Sequence, residues 1–266
     1  MLMLSNACFP TLWALLLQSG TEPTGIFHPP GDAASNIQIL LRWLHFIAGI
    51  TWIGLLYFFN LVNVPLMKKL DAPTKGKVIP ELMPRALWWF RWGALITVLA
   101  GLMYFAMYIV ATDAQNVGFN TWGALGAWLL IVLVVYVFIY GVLQPAKGVF
   151  NNGWALAVLI ALAVIVMSAL MLRFLGTPGV SNKTLSIAIG GGMGIIMLLN
   201  VWGIIWPAQK RIIAWTKANA ENGTPIPPES ATLARRALLA SRTNAWLSLP
   251  MLFLMGTASH YAMFGT

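Results

Sequence analysis

Apolar residues run along this chain in blocks of about 20 or more, the length that crosses a bilayer as a helix. Short stretches where lysine, arginine, proline and glycine collect separate the blocks. Neither the alternation of a half-buried strand nor the single stripe of a surface helix persists through them. They read as helices that are apolar all round. Six such spans are expected, at about 38–66, 86–111, 121–143, 153–174, 184–207 and 244–264. An apolar segment at 1–20 adds a candidate seventh, either an uncleaved signal-like anchor or an interfacial helix, since it has no basic leader. The next stretch, with Pro23, Pro29, Pro30, Gly25 and Gly31, reads as irregular and external. The expected fold is all-α, a polytopic transmembrane helix bundle. It divides into 1–36, an N-terminal apolar anchor and external loop, and 37–266, the membrane helix-bundle domain.

Composition agrees with that pattern. Of the 266 residues 59% are hydrophobic and 9% charged, against about 25% charged in soluble domains. The mean hydropathy is +0.78. A net charge of +9 would suit a nucleic-acid partner if the cations formed a stripe on a soluble face. They collect instead in the connections, so the expected partner is the lipid bilayer and no nucleic acid. Thirteen of the sixteen basic residues fall on one side, among them Lys68, Lys69, Lys75, Lys77, Arg85, Lys147, Lys210, Arg211, Arg235, Arg236 and Arg242. Arg42, Arg173 and Lys183 fall on the other. The positive-inside rule puts the richer side in the cytoplasm and the C-terminus outside.

Two shorter features have plain readings. Residues 229–239, after the turn-rich Asn222–Pro228, read as a short basic helix lying against anionic headgroups. Arg91, amid Trp88, Trp89 and Trp92, reads as an interfacial anchor.

Reactive groups are few. A single cysteine, Cys8, excludes an internal disulfide, a cysteine metal cluster and a covalent CxxCH haem. No acidic residue falls inside an expected span, which argues against a carboxylate relay or a carboxylate-bridged metal pair. Two histidines do fall inside spans, His45 in RWLHFIAGITWIG and His260 in the last one. The charge-derived topology puts both near the external face. Each also has a glycine four positions away, Gly49 and Gly256, on what would be the same helical face. A flat ligand needs such bare backbone. Neutral imidazoles supply both axial ligands in many haem proteins, so His45 and His260 are candidate metal ligands for haem b. Arg42 is placed to meet a propionate, and Trp43, Trp52 and Tyr57 to line the edge. The plainer account is that each histidine hydrogen-bonds a nearby oxygen at the interface. His28, beside two prolines, reads as a loop residue and a possible ligand of a second site. Gly190, Gly191, Gly192 and Gly194 read first as a helix-packing face.

Several segments resemble the membrane domain of the bacterial urate hydroxylase family, also described as urate oxidase N-terminal. They are RWLHFIAGITWIG with Tyr57 and Phe58, then GIIMLLNVWGIIWPAQKRI, then SRTNAWLSLPMLFLMGTASHY, in family order. A similar H-x-x-A-x-x-x-W-x-G pattern occurs in other small haem-associated membrane families. The resemblance implies haem binding, a bacterial cytoplasmic (inner) membrane location and oxidoreductase chemistry with partner subunits. The family continues into a C-terminal cytochrome c; this sequence has no CxxCH, so a separate periplasmic cytochrome c is the expected counterpart. Where the family carries further histidines, this chain reads PRALWWFRW, LSIAIGGG with Ala188, and SRTNAW with Thr243. Three functions follow as expectations. One is a haem b electron-transfer subunit of a membrane complex. Another is a urate-hydroxylase-like membrane oxidoreductase, and the third a haem-free structural or accessory subunit.

Overall fold

The structure, a computed structural model, describes residues 30–143 and 152–264. The apolar segment at 1–20, Cys8, His28 and Lys147 lie outside the described residues. The described residues from Gln38 onward form one compact unit.

Among the described residues all regular structure is helical. Helix α1 covers Ala33–Lys69, α2 Ala72–Val117 and α5 Asn182–Asn222, each a continuous rod. Helix α3 covers Thr121–Leu143, α4 Gly153–Leu175 and α6 Glu229–Thr257. Helices α1 to α5 are long and apolar enough to cross a membrane. Among the described residues five helices, rather than the expected six, thus have the length and composition of a crossing. Helix α6 has 29 residues, but Arg235, Arg236 and Arg242 occupy its first half and Thr243, Asn244 and Ser248 are buried in its middle. Its strongly apolar part is thus too short to qualify.

The connections are tighter than the charge pattern implied. Between α1 and α2 only Leu70 and Asp71 are non-helical. Asp71 caps α2, accepting from the Thr74 N–H at 3.0 Å, and Pro73 in the first turn needs no donor partner. Hydrogen bonds from the Thr74 side chain and backbone hold the Asp71 carboxyl below its ordinary range. Helix α2 then runs for 46 residues, about 70 Å, more than twice a hydrocarbon core. At the far side of the bundle's basic end, α5 continues to Asn222 and stops at Gly223, whose φ of 67° suits only a residue without Cβ strain. The stretch 229–239, expected as a separate interfacial helix, is the first part of α6. Ala237 and Leu239, toward its end, are buried, while residues 229–236 are exposed or half-buried.

Among the described residues three rods carry a wider, π-helical turn: Phe58–Asn63 in α1, Phe105–Val110 in α2 and Val201–Ile205 in α5. Pro65 and Pro207 follow two residues behind the first and third. Proline cannot donate to the carbonyl four residues back and its ring crowds it, so the chain there opens to the longer i→i+5 bond. The Val64 N–H accordingly reaches the Phe59 carbonyl, and the Trp206 N–H the Val201 carbonyl.

Helix α5 forms the centre. In its most apolar window 67% of residues are buried, against 17–33% in the other four spans. Its glycines admit the neighbours: a Cβ on Gly192 would stand 2.8 Å from Met171 Cε and 3.2 Å from Val132 Cγ2. The glycine face expected from the sequence is therefore a packing face. Helix α6 lies along α5 through the buried Asn200 and Asn244, joined at 2.8 Å, with Asn244 also donating to the Met197 carbonyl. Trp128 of α3 donates to the Ala188 carbonyl of α5 at 2.9 Å.

Candidate functional site

Helix α1 packs antiparallel on α2 through a small-residue seam. A Cβ on Gly93 would meet the Ala48 carbonyl at 3.3 Å, and one on Gly49 would meet Thr97 at 3.6 Å. The next contact along this seam is His45. Its ring lies over Gly101, where a Cβ would come within 2.7 Å of Nδ1. Nδ1 stands 2.8 Å from the Thr97 carbonyl oxygen. A carbonyl only accepts, so Nδ1 carries the proton and donates, and the lone pair is left on Nε2. That is the tautomer and second-shell contact by which proteins orient a ligating histidine.

One turn further along α2, Tyr104 collects two cations. The Arg42 guanidinium lies 6.0 Å from its ring centroid and the Lys183 ammonium 5.9 Å. Neither cation belongs to an ion pair among the described residues. Lys183 opens α5 beside Asn182, whose amide holds the segment after α6. Asn182 donates to the Ala258 and Tyr261 carbonyls at 2.9 and 3.0 Å. It accepts from the Met263 and Phe264 N–H groups at 2.8 and 2.9 Å. His260 sits in that clamped turn, exposed, with its N–H on the Thr257 carbonyl.

The two histidines thus belong to one end of the bundle. Tyr57 meets Ser248 at 2.9 Å and Asn60 meets Ser241 at 2.9 Å, so α1 and α6 run antiparallel. From Tyr57 back to His45 is about 18 Å along α1, and a similar advance from Ser248 reaches the end of α6. Other expected residues take different places. Gly49 is covered by Thr97, and Trp52 is buried at 1% exposure against α2 rather than at an open edge. Helix α6 ends at Thr257, so Gly256 and His260 do not share a helical face. The last turn closes on Asn182 instead of continuing. Gly256 itself faces open space. Arg91, expected as an interfacial anchor, lies 3.9 Å over the Trp206 ring of α5, a cation held by aromatic faces within the bundle.

Sequence reading missed Thr97, Gly101, Tyr104 and Asn182. Only the Thr97–Gly101 spacing of four, which puts both on one face of α2, offered a signal. No cluster of three or more potential histidine, cysteine or carboxylate metal ligands occurs among the described residues. The arrangement suits a single imidazole donor beside two cations, an anion-receptive face with a Lewis base at its edge.

No curated protein and no solved structure shows significant similarity to the chain. One family profile does match, that described as urate oxidase N-terminal, over residues 70–266. The match takes in α2 to α6, with Gly101, Tyr104, Lys183 and His260, and begins just after the helix that carries His45. The chain belongs to the urate oxidase N-terminal family.

Proposed function

We propose that this chain is the membrane-embedded subunit of an electron-transferring oxidoreductase assembly, with its redox site at the His45 end of the bundle. The observation that carries the reading is the Nδ1–H···O=C bond from His45 to Thr97, which leaves Nε2 free to ligate. The donor chemistry of the residues at this end would suit a haem b. His45 Nε2 and His260 would be its axial donors, Arg42 and Lys183 would meet its propionates, and Gly256 leaves room on α6. Bound there, such a group supplies one-electron transfer. Gly49 and Trp52 serve by seating α1 on α2, and Asn182 by holding the His260 turn. The positive-inside bias supports a bacterial inner-membrane location with this end periplasmic, where a cytochrome c or other membrane subunits would take or deliver electrons.

The test is a reduced-minus-oxidised spectrum of the purified chain with pyridine haemochrome quantitation. One haem b per chain is expected, with the α-band lost in His45→Ala and in His260→Ala. Gly101→Val should perturb the band with both histidines present, since its side chain displaces the His45 ring. A folded preparation without haem absorbance sinks the reading and leaves a structural subunit. The family match favours a second reading, in which the assembly oxidises urate or a related purine. Urate turnover with added cytochrome c or quinone as acceptor tests it, and no turnover by the complete assembly rejects it.

A further inference from the structure

A second site stands at the opposite, basic end. Helices α1, α2, α5 and α6 line an open pocket of about 400 Å³ there, within the size range of small-molecule pockets. Its floor is apolar, with Phe59 and Phe90 in edge contact at 5.3 Å beside Met83. Lys68 and Lys75 stand at its mouth, and no carboxylate lines it. Asp71, one turn before Lys75, accepts from the Thr74 N–H and lies within the field of the Lys75 ammonium without forming an ion pair with it. The wall contains one buried polar side chain in need of a partner. Asn63 is 7% exposed, its Oδ1 makes no hydrogen bond, and its Nδ2 has only the Met83 sulfur at 3.8 Å. Such a buried amide costs stability unless something satisfies it.

The backbone is shaped for this cavity. Phe59 and Asn63 belong to the π-helical turn of α1, and Ile205, another lining residue, ends the π-helical turn of α5. Two of the three wide turns among the described residues therefore border the same space, and such turns are frequent at functional sites. Charge and polarity are also layered. Lys68 lies at the end of its span, Asn63 about 7 Å deeper and Phe59 about 13 Å deeper, at 1.5 Å per residue. A cationic mouth, an amide and then an aromatic floor match the phosphate, glycerol–ester region and acyl chain of a lipid in order. Two lysines without a lining acid select an anionic head over a zwitterionic one.

We propose that this cavity binds one anionic phospholipid per chain, its phosphate between Lys68 and Lys75, its ester region at Asn63 and an acyl chain over Phe59 and Phe90. The site is independent of the redox reading. The full chain, reconstituted in nanodiscs of mixed phosphatidylglycerol and phosphatidylcholine, is released into the gas phase and its retained lipid counted by native mass spectrometry. One phosphatidylglycerol is expected, preferred at least tenfold over phosphatidylcholine. Lys68→Gln with Lys75→Gln should erase the preference without loss of fold, because neither lysine makes an ion pair among the described residues. Met83→Trp, which fills the floor, should expel the lipid with both lysines in place. Equal retention of the two lipids, or an unchanged preference in the double-lysine variant, overturns the proposal. So does full displacement by millimolar inorganic phosphate, which would make the mouth a simple anion site. Retention of a quinone in place of lipid overturns it as well.

Discussion

Helices α4 and α5 are both apolar spans, yet they live in different solvents. Helix α4 has the higher mean hydropathy, 2.9 against 1.9, and the lower burial, 28% against 67%. In water the more apolar helix would be the more buried. In a bilayer the hydrocarbon accepts apolar side chains as readily as the protein interior does, so hydropathy no longer sorts inside from outside. Small and polar residues do the sorting. Helix α5 carries Gly190, Gly191, Gly192, Gly194 and the buried Asn200, whereas α4 shows Val158, Leu162, Ile165 and Val166 outward.

The sharpest test of this contrast is steric. Gly192→Leu in α5 should destabilise the bundle by about 3 kcal/mol, because Met171, Met167 and Val132 already fill the space. Val158→Leu on the outward face of α4, where Val158 is 59% exposed, should stay within about 0.5 kcal/mol. Thermal unfolding of the two variants in bicelles, followed by circular dichroism, measures the difference; equal losses would end the comparison.

A smaller effect is expected from the polar groups. Asn244→Ala strips partners from both Asn200 and the Met197 carbonyl and should cost about 1–2 kcal/mol. Ser168→Ala on α4 removes only a bond to its own helix, from Ser168 Oγ to the Val164 carbonyl, and should be near neutral. Denaturation in sodium dodecyl sulfate against bicelle concentration reads both. Between the two helices' neighbours, Trp128→Phe loses the α3–α5 bond to Ala188 and should cost about 1 kcal/mol. The accompanying readout is faster amide exchange near Gly192.

The smallest effect lies outside the membrane and contrasts two helix starts. Ser181 caps α5 while itself bonded to the buried Asp113 at 2.8 and 2.9 Å. Asp71 caps α2 in open water. Its folded pKa is depressed, so its contribution is present above the ordinary carboxylate value near 4 and fades as pH falls through the lower folded value. Amide exchange at Thr74 should accelerate below about pH 4, with little change at Thr184. Asp71→Asn, which keeps an acceptor without the titration, should abolish that pH response.

Much of the fold was legible because lipid demands uninterrupted apolar length. The expected span at 121–143 coincides with α3, and 153–174 misses α4 by one residue. The reach of α1, α2 and α5 was hidden, since lysines and arginines that mark a loop to a topology rule also sit comfortably on a protruding helix. The expected last span, 244–264, runs past the end of α6 at Thr257, because the apolar run Leu249–Met255 continues in sequence toward His260 with no charge to mark the helix end. At the candidate site, the shared end of His45 and His260 followed from charge bias alone. What holds them did not, because Thr97, Gly101 and Asn182 are distant in sequence and bland in type. The cavity was less legible still, its walls reaching from Phe59 to Ser241 across four helices.

The π-helical turn at Phe58–Asn63 also acts as a gear tooth. It holds one residue more than an α-helical turn would need, and each residue turns the rod by about 100°. Deleting a single residue there would leave α1 a regular helix, with as many hydrogen bonds and a normal length. Everything beyond it would be rotated, so that Lys68 swung away from Lys75 and Asn63 out of the wall. The orientation of the basic end relative to the His45 end is thus stored in one extra residue, and length variation in this segment would re-index one end while leaving the other unchanged.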